Sequence, residues 1–378
     1  MNYVESPPGS HLVTQINPHA PSPFPAYPHP DRFRAARDRM LQNAGDGRYA
    51  EVSAEAGTDV PPGKGLGVAP TDLDLDGWVD LYVANDSTPN FLFHNRGGSF
   101  EETGGQSGAA FNDSGRTEAG MGVDGGDVDG DGDFDLFVTN LDLETNTLYV
   151  NSTRAGAAAA FRDRTRRAGL AEPSRLYVGF GALFFDADRD GHLDLLVANG
   201  HIIDNVEAIS DNRLYAQPNQ LFLGDGAGRF ARAGPERVPE GLGRPTVSRG
   251  SAAGDVDGDG DLDFVLSANG QGPQVFLGTP PAAPWLELRL AAGAGNPRGL
   301  GSSAWVELED GRSLLLRVES ARSYASASAP AAVTGLPAPV RAVEVLWPGG
   351  ERERWEGFAA PFEGVQLLER GSGAPAGG

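Results

Sequence analysis

Short apolar runs, each opening on an aspartate, recur along the chain: "DLYVAN" (80–85), "DLFVTN" (135–140), "DLLVAN" (194–199) and "DFVLSAN" (263–269). They are rich in Val, Leu, Phe and Tyr and bounded by turn residues, which predicts strands. No amphipathic helix of any length is evident. An acidic stretch precedes each run: "TDLDLDGWVDLYVAN" (71–85), "GDVDGDGDFDLFVTN" (126–140), "FDADRDGHLDLLVAN" (185–199) and "GDVDGDGDLDFVLSAN" (254–269). A second apolar pair follows the first three, in "NFLFHNRGGSFEET" (90–103), "NTLYVNSTRAGAAAAFRDRT" (146–165) and "NQLFLGDGAGRFARA" (219–233).

Each unit therefore reads strand, acidic loop, strand, turn, strand, turn, strand. Four short strands repeated at this spacing predict a β-propeller with one unit per blade. Three units are full. The fourth stops after "PQVFLG" (273–278), and "DRMLQNAGDGRYAEV" (38–52) is half a unit with no acidic loop before it. The expected fold is all-β, an incomplete propeller of four to five blades at 38–281 followed by a small β domain. A Pro-rich irregular segment (1–37) precedes it.

After "TPPAAP" (279–284) the pattern changes. "WLELRL" (285–290) and "AVEVLW" (342–347) alternate as half-buried strands, and "VELEDGRSLLLRV" (306–318) reads as a hairpin turning at Asp310–Gly311. Residues 285–370 are expected to form the separate β domain, with 371–378 a flexible tail. Four of the five tryptophans lie there, at 285, 305, 347 and 355.

Composition narrows the function. A formal charge of −22 argues against nucleic acid or an anionic membrane as partner. The absence of cysteine removes disulfides, thiolate metal sites and cysteine nucleophiles. No apolar run is long enough to span a bilayer, and "MNYVESPPGS" is not a signal peptide.

The acidic stretches share the pattern D-x-D-x-D-G-x-x-D. Carboxylates fall at positions one, three, five and nine: Asp72, Asp74, Asp76 and Asp80; Asp127, Asp129, Asp131 and Asp135; Asp186, Asp188, Asp190 and Asp194; Asp255, Asp257, Asp259 and Asp263. Position six is glycine, which permits a sharp turn about a central ion. Position seven offers a backbone carbonyl from Trp78, Asp133, His192 or Asp261, so its side chain is free to vary. Hard oxygen ligands at this spacing suit Ca²⁺ in about four sites, with a structural role. The loops are not EF-hands, because position twelve is Val83, Val138, Val197 or Leu266 inside a strand. A set of merely solvated acidic turns would not repeat all four carboxylates four times.

No catalytic constellation is visible. His11, His19 and His29 sit in the Pro-rich segment, and His201 follows a strand end where a turn role is expected. Asn85, Asn140, Asn199 and Asn269 end equivalent strands and are expected to cap turns.

The acidic units resemble FG-GAP/VCBS repeats of the integrin-α-like propeller type. "NPRGLGS" (296–302), "VESARSYAS" (318–326) and "WPGG" (347–350) resemble the motifs of an ASPIC/UnbV domain. In order along one chain, the two sets are similar to the bacterial branch of the cartilage acidic protein family. The resemblance implies a calcium-binding, extracellular or periplasmic propeller, a non-enzymatic binding, adhesion or scaffold module for an unknown protein or glycan. Its seven blades also imply missing N-terminal blades or self-association here. The alternative is an accessory or catalytic protein of a biosynthetic pathway, UnbV-like, with its site on a propeller face. "VTGLP" (333–337) and Ala321 depart from the domain's motifs.

Overall fold

The structure, a computed structural model, describes residues 3–5, 14–15, 25–26, 30–153, 159–208, 210–259, 262–279, 283–358 and 361–376. Three acidic units fold as four-stranded antiparallel sheets with strands in chain order. Blade one comprises Gly65–Thr71, Asp80–Asn85, Phe91–Asn95 and Phe100–Glu102; blade two Val123–Gly126, Asp135–Val138, Thr147–Asn151 and Phe161–Asp163. Blade three comprises Gly179–Phe185, Asp194–Asn199, Gln220–Gly224 and Phe230–Arg232. Blade four has three strands, Ser248–Gly254, Asp263–Ala268 and Gln274–Phe276, and the half unit is the hairpin Leu41–Gly45/Arg48–Glu51. These are propeller-like blades followed by a β domain, as the repeat pattern predicts.

The first strands of successive blades lie side by side. Their glycines permit this: a Cβ on Gly67 would come 2.3 Å from the Met121 carbonyl oxygen, and one on Gly122 1.8 Å from that of Phe180. Blades two and three have neighbours on both sides, so their second strands are buried at every residue. Between them Phe137, Leu148, Phe184, Leu195, Phe222 and Phe230 form one apolar cluster. Asn85, Asn140 and Asn199 cap the turns after these strands, each side-chain N–H donating to the carbonyl of Pro89, Thr145 or Pro218.

Residues 285–376 form two further sheets around their own core, which includes Leu286, Leu288, Val306, Val343, Val345 and Trp347. This domain also enters the propeller. Leu315 and Trp305 join the apolar cluster between blades one and two. The segment after Val318 then runs along the blades' first strands. Ser323 N–H donates to the Val123 carbonyl, Ala329 N–H to that of Ala253, and the Tyr324 ring stands edge-on to Phe180.

One charge fixes this path. Asp124, in blade two's first strand, is fully buried and accepts from Arg317 and Arg322, the latter at 2.6 Å, and from the Phe184 N–H. Glu319 lies in the same cluster, and burial pushes its carboxyl up to about 7. Removing one partner of a buried pair strands the other's charge. Asp124→Ala is therefore expected to destabilise the chain by about 3–5 kcal/mol in denaturant unfolding. A loss below about 1 kcal/mol would show that the contact behaves as a surface pair.

Candidate metal centres in the acidic loops

Each acidic loop joins the first two strands of its blade, and loops one to three wind through two left-handed positions. Position six is Gly77 (φ 92°), Gly132 (φ 91°) and Gly191 (φ 87°) in loops one to three. Position four is left-handed too, in Leu75 (φ 57°), Gly130 (φ 73°), Arg189 (φ 60°) and Gly258 (φ 81°). The coil turns backbone N–H groups inward. Asp72 accepts from Asp76 and Gly77 at 3.1 and 2.8 Å, Asp127 from Gly130 and Gly132 at 2.8 and 3.1 Å, and Asp186 from Asp190 and Gly191 at 3.1 and 2.9 Å. The ninth-position aspartate ties the loop to the third strand. Asp80 accepts from Leu73 and Asn95, Asp135 from Val128 and Asn151, Asp194 from Ala187 and Gly224, and Asp263 from Val256 and Gly278, all at 2.7–3.0 Å.

Within this frame carboxylates converge. Oxygens of Asp72, Asp74 and Asp80, of Asp127, Asp129 and Asp135, and of Asp186, Asp188 and Asp194 lie within 4.8 Å of one another. In the fourth loop the group is Asp255, Asp257 and Asp259, and it is more exposed. Such acidic clusters could hold a metal ion. The buried third-position oxygens fit one: Oδ1 of Asp74, Asp129 and Asp188 has no hydrogen-bond partner, an arrangement costly for a carboxylate unless a cation faces it. Burial, reinforced by neighbouring carboxylates, pushes Asp72 up to about 7, Asp74, Asp127 and Asp186 to about 6, and Asp194 to about 8. It holds Asp135 well above the usual carboxylate range.

The fifth-position residues Asp131 and Asp190 stand outside these groups and accept from the N–H of Asp133 and His192; Asp76 likewise accepts from Trp78 but joins Asp74 and His94 in a fifth group. Asp263 lies outside its loop's group. The side chains at position seven go separate ways. Trp78 is exposed beside Gly97, the His192 ring lies against Gly226, and Asp133 is buried with Oδ1 unpartnered. Asp261, like His11, His19 and His29, lies outside the described residues.

Two neighbours of the loops carry no signal within the acidic pattern. His94 Nδ1 is 3.2 Å from Asp80 and 3.5 Å from Asp74, and its hydrogen bond to Asp80 raises its pKa. Its only trace in the sequence is that the equivalent residues of blades two and three are Val150 and Leu223. The second neighbour is the C-terminal domain. The Gly335 N–H and Thr334 hydroxyl donate to Asp186 at 2.7 and 3.2 Å, and the Gly349 N–H donates to the Gly77 carbonyl at 2.8 Å. The "VTGLP" and "WPGG" turns thus sit on loops three and one. Between loops two and three and the Gly311–Leu316 stretch lies a cavity of about 650 Å³, lined in part by Asp129, Asp131, His192, Trp305 and Arg312. His201 serves a turn: its Nδ1 accepts from the Ile203 N–H, and the ring is 1% exposed, with Nε2 3.5 Å from Asp142.

Repeated blades with carboxylate-lined loops at one end, capped by a β domain, define a class of acidic-loop propeller proteins. Family comparison agrees. The FG-GAP-like repeat model matches residues 72–138, 127–197 and 186–266, more than half of the chain, and the chain belongs to that family. The ASPIC and UnbV model matches residues 292–362. The chain is 30% identical to human cartilage acidic protein 1 over 219 residues, 57% of this chain and 30% of that protein. Against the Xenopus tropicalis protein of the same name it is 27% identical over 208 residues, 51% of this chain and 30% of the relative. It thus spans under a third of the length of these relatives. A solved mutant of AofleA from Arthrobotrys oligospora is 12% identical with a TM-score of 0.30, covering 78% of this chain and 83% of that one.

The seat on loop three yields a test. A Cβ on Gly335 would lie 2.1 Å from the Arg189 carbonyl oxygen, so Gly335→Ala must part the domain from the loop. We expect a loss of roughly 1–3 kcal/mol in thermal unfolding, as for overpacking of a dense site, with faster elastase cleavage at the Ala282–Ala283 bond of the connector. Gly272→Ala, which meets nothing within 4 Å, should leave both unchanged.

Proposed function

We propose that the chain is a calcium-stabilised binding or scaffold module working outside the cytoplasm. The observation that carries this reading is the buried, unpartnered carboxylate oxygen at the third position of loops one to three, each beside two more carboxylates. Asp72, Asp74, Asp76 and Asp80 and their equivalents in the other three loops would hold the ions, with backbone carbonyls at Trp78, Asp133, His192 and Asp261. The oxygen-only donors at D-x-D-x-D-G spacing favour Ca²⁺ over Mg²⁺, which keeps its own waters. When bound, the ion supplies charge compensation. The chain's own residues do the rest: the left-handed coil aims the carboxylates, the ninth aspartate ties loop to sheet, and the C-terminal domain rests on the ordered loops.

Sites of this kind fill where calcium is millimolar, which favours an extracellular or periplasmic setting. The names of the relatives, cartilage acidic protein, accord with that and name no catalytic activity. No helix among the described residues is long and apolar enough to cross a membrane. The partner, a protein or glycan, would meet the opposite end of the blades, because the C-terminal domain covers loops one and three. There the turns carry exposed Leu143, Leu176, Ile202 and Leu214 beside Arg213, which pairs with Asp142 at 2.9 Å. Apolar residues clustered on loops mark interaction sites more often than scattered ones do.

Titration calorimetry should detect calcium binding, and the melting temperature should rise with Ca²⁺ and far less with Mg²⁺. At about one hundred times Kd, each site adds about 2.7 kcal/mol. Asp129→Ala should remove one site and leave the others. Absence of calcium binding up to millimolar concentrations would refute the reading. A glycan array and pull-down with wild type and a Leu143→Asp/Leu214→Asp variant should show partner capture only by wild type.

A further inference from the structure

The complete blades define what the fourth blade lacks. In blades one to three the last strand opens on Phe100, Phe161 or Phe230, paired with Asn95, Asn151 or Gly224. Three residues on, the N–H of Thr103, Arg164 or Ala233 donates to the carbonyl of Leu92, Leu148 or Leu221 at 2.7, 2.8 or 2.9 Å. The ring packs on the preceding blade: Phe230 shares a cluster with Leu148, Ala168 and Leu170.

In blade four the Gly278 N–H meets Asp263 as the N–H groups of Asn95, Asn151 and Gly224 meet their aspartates, so Gly278 marks the aromatic's position. Val275 corresponds to Leu92, Leu148 and Leu221. Among the described residues no strand pairs with this outer edge, and Val275 and Leu277 are 55% and 54% exposed. Where the ring would pack lies a groove of about 560 Å³ lined by Leu221, Ala233, Val238 and Gly241. Leu221 holds the position of Leu148 one blade earlier.

The other end of the chain carries the matching strand. The hairpin Leu41–Gly45/Arg48–Glu51 is exposed at every residue, Tyr49 at 64%. "RYAEV" aligns with the Phe-led last strands, and the Val52 N–H donates to the Met40 carbonyl at 2.9 Å as the N–H of Thr103 does to Leu92. The turn that follows is seated like the others. A Cβ on Gly57 would lie 2.2 Å from the Phe100 carbonyl oxygen, and Gly108 and Gly169 stand in the same relation to Phe161 and Phe230, at 2.6 and 2.8 Å. Arg48–Glu51 thus precedes blade one as the last strand of a complete blade precedes the next.

We propose that blade four of one copy takes the place ahead of blade one of a second copy. The second copy's Arg48–Glu51 leaves Leu41–Gly45 and completes Gln274–Phe276 of the first. The Val52 N–H exchanges the Met40 carbonyl for the Val275 carbonyl, and the Tyr49 ring enters the groove. An isolated, fully exposed hairpin is marginal in water, and exchange of an identical element is a low-cost route to a dimer. The Pro-rich stretch before the hairpin is a poor rival, since proline cannot donate to a sheet ladder. Two four-bladed chains joined at both ends bring together about eight blades, within the range of closed propellers.

The chain has no cysteine of its own, which makes the junction testable by cross-linking. In this register Ala50 of one copy faces Leu277 of the other, and both are exposed. Sedimentation in calcium should give twice the 39.6 kDa chain mass at high protein concentration. Tyr49→Asp should give the single mass with an unchanged melting temperature. Ala50→Cys and Leu277→Cys chains, mixed and mildly oxidised, should form a disulfide-linked pair; neither should do so alone. Adding Tyr49→Asp to the Ala50→Cys chain should abolish the link. A wild-type monomer at every concentration, or an intrachain link in the doubly substituted chain, would overturn the proposal.

Discussion

Asp80, Asp135, Asp194 and Asp263 each hold two parts of a blade with one carboxylate. One oxygen takes an N–H from the start of the acidic loop and the other an N–H from the end of the third strand. The tie fixes where the loop leaves the sheet and where the next turn begins, and in loops one to three it places a buried carboxyl group beside two others. Blade geometry and the demand for a cation therefore have one origin. An apolar residue there would release the third strand, and a neutral amide could not accept at both atoms.

The demand for charge compensation explains why the loops are covered as well as coiled. The C-terminal domain donates the Gly335 N–H to Asp186 in loop three and the Gly349 N–H to the Gly77 carbonyl in loop one. The same domain meets blade two's first strand, at Asp124, with two arginines. The buried acid of blade two is thus answered by two arginines, whereas the acidic loops gather carboxylates that could hold a metal ion.

Much of this was legible in the sequence, because repetition separates signal from accident. The blade count, the strand boundaries near Asp80, Asp135, Asp194 and Asp263, and the glycine at position six are local properties repeated in register. What the sequence concealed is either non-local or masked by residue type. Leu75 and Arg189 adopt a left-handed conformation that glycine fills in the other two loops, so composition alone hides the shared coil. His94 sits in a strand position that is otherwise apolar. The Asp124–Arg317–Arg322 contact joins residues nearly two hundred positions apart, and no periodicity reports such a distance. The short connector at 279–284 suggested a domain standing apart, whereas Leu315, Trp305 and the stretch through Tyr324 and Ala329 bind it to the blades.

The domain's two seats are not on adjacent blades. Its "WPGG" turn rests on the loop of blade one and its "VTGLP" turn on the loop of blade three, with blade two spanned between them. A domain of two sheets sharing one core and resting on both acts as a tie bar across three sectors of a wheel. It sets the angle that two successive blade junctions must add up to, whatever either would prefer alone. Lineages that gain or lose blades could then do so before blade one or after blade three, but not inside the span, since one blade more or less there would lift a turn from its loop.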